Sequence, residues 1–240
     1  MLNLKKIALV GSSGLIGKTI FRSLNKKNFK IYKYNSKNIT SIKYKKFHKI
    51  YCAGLPAEKW KANKFPIRDK KNSLKLLNNL KLTKCDKFYL ISTIDIHKAN
   101  EYYGKNRLHF ENIIKKIFSK YLIIRLPGVF GSGLKKNIIY DLLNKKNLEN
   151  ISKEDCFQWY NLKYLFSDIN KYEKKFGLNK IIELYSRPIK NSEIIKLFPK
   201  IKILNKKKKI KYNILPKIGY YKNKKFILNG MKIFIRNYGK

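Results

Sequence analysis

The segment Gly11-Ser-Ser-Gly14-Leu-Ile-Gly17 constrains this chain more than any other, because of what stands on either side of it. Before it, Lys6-Ile-Ala-Leu-Val10 is a short apolar run that reads as a buried strand; after it, Leu15 to Leu24 carries a helical pattern. A strand that runs through a tight glycine turn into a helix needs one residue free to take positive φ. It also needs backbone without a Cβ where an anion approaches, and one position where helix packs close to strand. Amide N–H groups at the helix start then face outward as an anion site. An ordinary glycine-rich turn is the alternative, and the flanking strand and helix weigh against it.

The same alternation continues. Phe29 to Tyr34 reads as a second strand, Lys49 to Ala53 as a third, Ser73 to Leu82 as a helix and Lys87 to Ser92 as a strand. Asn100 to Ser119 reads as a longer helix and Tyr121 to Leu126 as a further strand. This order predicts an α/β fold, a Rossmann-type parallel sheet with helices on both faces, plus a small mixed C-terminal lobe. The sheet domain is placed at 1–185, with an excursion at about 131–157, and the lobe at 186–240. Past Pro127 the pattern predicts a helix near Asn137 to Leu143, a strand at Ile181 to Tyr185, and a helix over Asn191 to Phe198 capped by Asn191 or Ser192. Lys206 to Lys209 reads as an exposed turn. The last forty residues alternate Lys with apolar residues, as in Phe226-Ile-Leu and Lys232-Ile-Phe-Ile-Arg236, which predicts short strands with one wet face.

Charge is the feature that most invites another reading. The chain has 57 basic and 14 acidic residues, a formal +43, which ordinarily points to nucleic acid. Six of the basic residues are Arg, however, and base readout leans on the Arg fork. The lysines therefore read as a solvated surface, and no nucleic-acid partner is expected. Cys52, Cys85 and Cys156 are odd in number and widely spaced, which suits reduced thiols in the cytoplasm. His48, His97 and His109 are scattered, so no metal site is expected. No apolar run approaches a membrane span, and a soluble protein with no membrane partner is expected.

Within Asn100 to Ser119, the apolar residues Phe110, Ile113, Ile114, Ile117 and Phe118 form one stripe. Tyr103 and Arg107 fall near its centre; Tyr102 and Asn106 fall toward its edge. An Arg on an inward face needs a partner there. One functional reading is a phenol that moves a proton, with a cation one turn away lowering its pKa; a partly buried Tyr beside a snorkelling Arg is the other. The run Phe88-Tyr-Leu-Ile-Ser-Thr93-Ile-Asp-Ile-His97 ends a strand in two hydroxyls, Ser92 and Thr93. These could bond a reacting oxygen or simply cap the strand end.

Taken together, the turn at Gly11, Gly14 and Gly17, the hydroxyl at the strand end, the Tyr103-Gly-Lys-Asn-Arg107 run and Arg125-Leu-Pro-Gly128-Val-Phe-Gly131 resemble the extended short-chain dehydrogenase/reductases, the NAD-dependent epimerase/dehydratase family. The resemblance covers about residues 5 to 200. It implies an enzyme that binds NAD or NADP through Gly11, Ser12, Ser13, Gly14, Leu15, Ile16 and Gly17, and further through Asn35, Ser36, Lys37, Ala53, Gly54 and Pro127. It implies Thr93 as the hydroxyl, with Ser92 second, Tyr103 as the proton shuttle, and Arg107 as the residue that orients the ribose and depresses the tyrosine pKa. Gly128, Phe157 and Gln158 would meet a small-molecule substrate, a nucleotide-linked sugar or similar hydroxyl or carbonyl compound; aromatic core is an equal reading of Phe157 to Tyr160. A homodimer is usual in such families. The second strand ends in Tyr34-Asn35-Ser36-Lys37, with no carboxylate for a ribose and with Lys37 suited to a 2′-phosphate, which leans to NADP. The chain departs from the family in having Arg107 where Lys is usual, a short segment between Thr93 and Tyr103, and Gly128 where Asn is frequent. The first two departures motivate an alternative, a catalytically inactive NAD(P)-binding regulator or scaffold, and the third removes one substrate contact.

Overall fold

The computed structural model describes residues 4–25, 28–98, 100–204 and 210–238; the Lys206 to Lys209 turn expected from sequence lies outside them. The strands are β1 (Lys6–Val10), β2 (Lys30–Tyr34), β3 (Lys46–Cys52), β4 (Lys84–Thr93), β5 (Tyr121–Leu126), β6 (Gly128–Phe130), β7 (Cys156–Phe157), β8 (Trp159–Asn161), β9 (Lys180–Ser186), β10 (Ile189–Lys190) and β11 (Gly219–Lys222). The helices are α1 (Leu15–Leu24), α2 (Lys59–Lys64), α3 (Pro66–Leu80), α4 (Tyr102–Ile117), α5 (Ile138–Asn144), α6 (Leu165–Phe176), α7 (Asn191–Ile195) and α8 (Lys224–Arg236). The main sheet has seven strands in the order β11-β9-β5-β4-β3-β1-β2, and β1 pairs in parallel with both β2 and β3. The fold is a Rossmann-type α/β fold.

The chain divides into two compact units, one holding residues up to Arg125 together with Leu165–Ile182, the other holding Leu126–Tyr164 and Glu183–Lys240. In the first unit the period-2 alternation of the strands sorts side chains to two faces. Ala8, Val10, Ile50, Cys52, Phe88 and Leu90 pack with Leu76, Leu77 and Leu80 of α3 and with Phe110 and Ile114 of α4. Their neighbours along the strands face the other way. Tyr51 and Tyr89 stack at 4.6 Å, Phe166 of α6 lies 6.1 Å from Tyr51, and Glu173 of α6 accepts from Tyr89 Oη and Lys87 Nζ, each at 2.8 Å. Helices thus cover both faces. The chain turns from β2 back across β1 to β3, and that reversal brings the ends of β1 and β3 together, where open α/β sheets bind ligands.

The second unit is small and mixed, with β6 parallel to β8 and β10 antiparallel to β7. Residues 126–164 belong to this unit, where β6 begins at Gly128 and pairs with Trp159 to Asn161. The last forty residues hold one short strand, β11, while the segments Phe226-Ile-Leu and Lys232 to Arg236 correct the strand expectation. Residues 224–236 form a helix, whose inward side carries Ile227 and Met231 at a spacing of four. Frequent lysines imitate a period of two there and hide the helical one. Asn223 Oδ1 accepts from the Phe226 amide at 2.8 Å, so Asn223→Ala is expected to cost about 1 kcal/mol, read from denaturant unfolding. At α7, the cap position belongs to Lys190, whose amide donates to Glu193 Oε2 at 2.9 Å, and not to Asn191 or Ser192.

Candidate active site

The glycine turn joins β1 to α1 as the sequence requires. Gly11 has φ +79°, and a Cβ there would lie 2.3 Å from the Ala53 carbonyl oxygen, so the close approach of β1 and β3 depends on glycine. A Cβ on Gly17 would lie 2.1 Å from the Gly11 oxygen; helix and turn touch through bare backbone. Gly54 leaves just enough room for Val10, and the Ala53 amide donates to the Val10 oxygen at 2.9 Å.

Which donors remain matters for an anion. The amides of Gly11 and Ser12 and the Ser12 hydroxyl all donate to the Tyr34 oxygen, at 2.9, 3.0 and 3.1 Å, and the Gly14 amide donates to the Gly11 oxygen at 3.1 Å. Gly14 caps α1 without a side-chain bond. The amides of Leu15, Ile16 and Gly17 in the first helical turn have no intrahelical partner, Ser13 beside them is exposed, and Ser12 braces the turn from within. At the end of β2, Asn35 Oδ1 accepts from the Lys37 amide at 2.8 Å, and Asn38 Oδ1 accepts from the Asn35 amide at 2.7 Å. This closed turn leaves Ser36 and Lys37 exposed.

On α4 the motif Tyr103-Gly-Lys-Asn-Arg107 acquires a reason at almost every position. Asn63 Oδ1 accepts from the Tyr103 amide at 2.9 Å and so holds the helix start. A Cβ on Gly104 would lie 2.2 Å from the Asp95 oxygen, so the short turn after β4 can rest on α4 only because glycine stands there. Asn106 Nδ2 donates to Asp69 Oδ2 at 2.9 Å. Arg107 is 1% exposed, and its two terminal nitrogens donate to both Asp69 oxygens at 2.8 and 2.9 Å, with a further bond to the Pro56 oxygen at 2.7 Å. The guanidinium lies 4.5 Å from the centre of the Tyr103 ring, over its face, and its Nε has no hydrogen-bond partner among the described residues.

These contacts change the electrostatics expected of the pair. Burial raises the Tyr103 phenol above its ordinary value, and the Arg107 charge pulls it down without overcoming that. Arg107, itself paired with the buried Asp69 carboxylate, offsets the effect of burial on the phenol only in part.

The two hydroxyls have separate partners. Thr93 Oγ1 accepts from the Asp95 amide at 3.2 Å and donates to Asp95 Oδ2 at 3.0 Å, capping the turn that follows β4. Ser92 Oγ donates to Glu111 Oε1 at 2.6 Å, and Glu111 is clamped by Arg125 Nε and Nη2 at 3.1 and 2.7 Å. Sequence reasoning missed this Ser92–Glu111–Arg125 knot, although an Arg inside the apolar run Tyr121 to Leu126 was a visible signal for a buried acid.

In the second unit, Pro127 sits between β5 and β6, and Gly128 stands against Trp159, whose ring a Cβ would meet at 3.2 Å. A larger residue at 128 would press on that ring. Gln158 is buried, and its amide is engaged on both sides: Nε2 donates to the Ser186 and Ile214 oxygens and Oε1 accepts from the Ile214 amide, each at 2.9 Å. It holds backbone together and presents no polar atom outward. Phe157 packs edge-on to Trp159 and tilted on Tyr212, at 6.3 and 5.5 Å.

No family model matches the chain, and no curated protein sequence matches it. Its fold is nevertheless found in solved structures. One is a dTDP-4-dehydrorhamnose reductase from Bacillus anthracis in complex with NADP, with TM-score 0.69 and 16% identity over 98% of this chain and 99% of that one. Another is a UDP-glucose 4-epimerase from Thermotoga maritima with UDP-glucose, with TM-score 0.68 and 14% identity over 97% and 98%. A third is a UDP-N-acetylglucosamine 4-epimerase from Methanobrevibacter ruminantium, with TM-score 0.67 and 14% identity over 98% of each chain. At these identities the likeness is one of fold.

Proposed function

We propose that this chain is an NAD(P)-dependent oxidoreductase of the extended short-chain type, an epimerase, dehydratase or reductase acting on a nucleotide-linked sugar or a similar hydroxyl or carbonyl substrate. The observation that carries the reading is the turn at Gly11, Gly14 and Gly17, where backbone approaches backbone and α1 opens without a side-chain cap. The first-turn amides of α1 would hold the diphosphate, with Ser13 beside them and Ala53 and Gly54 along the wall. A bound nicotinamide would supply or accept hydride. Tyr103 would move the matching proton, Thr93 would hydrogen-bond the reacting oxygen, and Arg107 would fix the ring of Tyr103 from below. Pro127, Gly128 and Phe157 are proposed to belong to the ligand-facing part of the second unit, with Gln158 as the strut behind them.

The experiment is a titration of the purified protein with NADH and NADPH, followed by turnover on a panel of nucleotide sugars. The similar reductase carries NADP, and here Lys37 is exposed at the end of β2 with no carboxylate beside it. NADPH is accordingly expected to bind about tenfold more tightly than NADH, by roughly one charge-assisted contact. Lys37→Glu should reverse the preference. Tighter binding of NADH by the unaltered protein ends the NADP assignment, and binding of neither ends the proposal.

A second reading has its own support. The Arg107 charge, where a Lys is usual, is matched by Asp69 in the interior, which favours a cofactor-binding regulator or scaffold without chemistry. It expects tight cofactor binding and no hydride transfer on any substrate; a single turnover dismisses it.

A further inference from the structure

At the elbow between α2 and α3, large apolar side chains face solvent: Trp60 is 63% exposed, Phe65 47% and Ile67 84%. Isolated exposed apolar residues are ordinary, but three large ones within eight residues, at one elbow of the chain, need a reason. The surroundings are cationic. Lys61, Lys64, Arg68 and Lys70 are exposed, and the two acids of the stretch are engaged, Glu58 by Lys61 at 3.0 Å and Asp69 inward by Arg107 at 2.8 Å. The ammonium groups of Lys61 and Lys64 lie 5.4 Å from the ring centres of Trp60 and Phe65. Aromatic rings and lysine stems mixed in this way suit a boundary that is wet and charged on one side and apolar on the other.

We propose that this elbow docks on an anionic lipid surface, with Trp60, Phe65 and Ile67 entering the headgroup region and the neighbouring cations meeting lipid phosphates. The contact is with a surface, since no helix among the described residues is long and apolar enough to cross a membrane. Ile67 favours lipid over single-stranded nucleic acid, because a branched aliphatic side chain offers no face to a base and gains only by leaving water. Self-association through the same elbow is the competing outcome, which sedimentation separates. Pro66, in the first turn of α3, fixes the backbone that presents these side chains.

The chain has two tryptophans, and Trp159 is 2% exposed, so emission changes on docking report Trp60. Vesicles of phosphatidylcholine with phosphatidylglycerol should shift that emission to the blue, and brominated lipids should quench it, while pure phosphatidylcholine does neither. Ile67→Ser removes no charge and touches no core, and it should weaken vesicle binding about tenfold. Vesicle binding with unchanged Trp60 emission, or with the same affinity in Ile67→Ser, would mean adsorption of a polycation and overturn the proposal. So would Trp60 quenching by a single-stranded oligonucleotide that displaces the vesicles, or self-association in sedimentation that Ile67→Ser abolishes.

Discussion

Asp69→Ala is expected to lower the unfolding free energy by about 3–5 kcal/mol and the thermal midpoint by roughly 10 °C. The carboxylate is buried and bound by both terminal nitrogens of Arg107 and by Asn106. Removing it leaves a cation in the core with the Pro56 oxygen and the Ser73 hydroxyl as its remaining partners. Two charges taken from water together are close to neutral in net effect; one left alone is not. Arg107→Ala should therefore cost a similar amount, and replacing both residues by apolar ones of like size should cost less than either single change. Calorimetry on the four proteins measures this directly, and additive losses would show that the two side chains do not act as a pair. Tyr103, whose ring rests on the guanidinium, should lose its fixed position in both single variants, so that cofactor affinity is kept while any turnover falls.

That pairing also marks where a single sequence stops being readable. The glycine turn was legible because its constraints are local: a positive φ and two close backbone approaches select glycine within seven residues. Strand β5 was legible at both ends, being apolar and bounded by turns. The inward placement of Tyr103 and Arg107 followed from helical spacing alone. The partner of Arg107 did not, since it stands thirty-eight positions away and nothing local selects Asp69. The same polar stretch, Arg68 to Lys71, hid the first half of α3, where Pro66 sets the start and Ser73 bonds back to the Asp69 oxygen at 3.0 Å. At α8 the misleading signal was composition. In a chain this rich in lysine, alternation with apolar residues arises without a strand, and the Asn223 cap was the better guide.

Tyr103→Phe is expected to reduce turnover by about 100- to 10,000-fold while NAD(P)H binding stays within about twofold. The change removes the oxygen that accepts from the Arg107 side chain but leaves the stack on Arg107 and the Asn63 bond to the Tyr103 amide. The pH dependence then separates the two directions of the reaction. Burial keeps the Tyr103 phenol protonated above its ordinary value of 10.0, so across about pH 6 to 9 nearly every molecule holds the proton. In that state Tyr103 can donate to an oxygen that gains negative charge, as when a carbonyl becomes an alcohol. It cannot accept a proton until the phenol ionises. Reduction should accordingly be flat over that range, and oxidation should rise with pH without reaching a plateau near neutrality. An oxidation rate already at its maximum near pH 7 would require the proton to go elsewhere and would remove Tyr103 from the role of base.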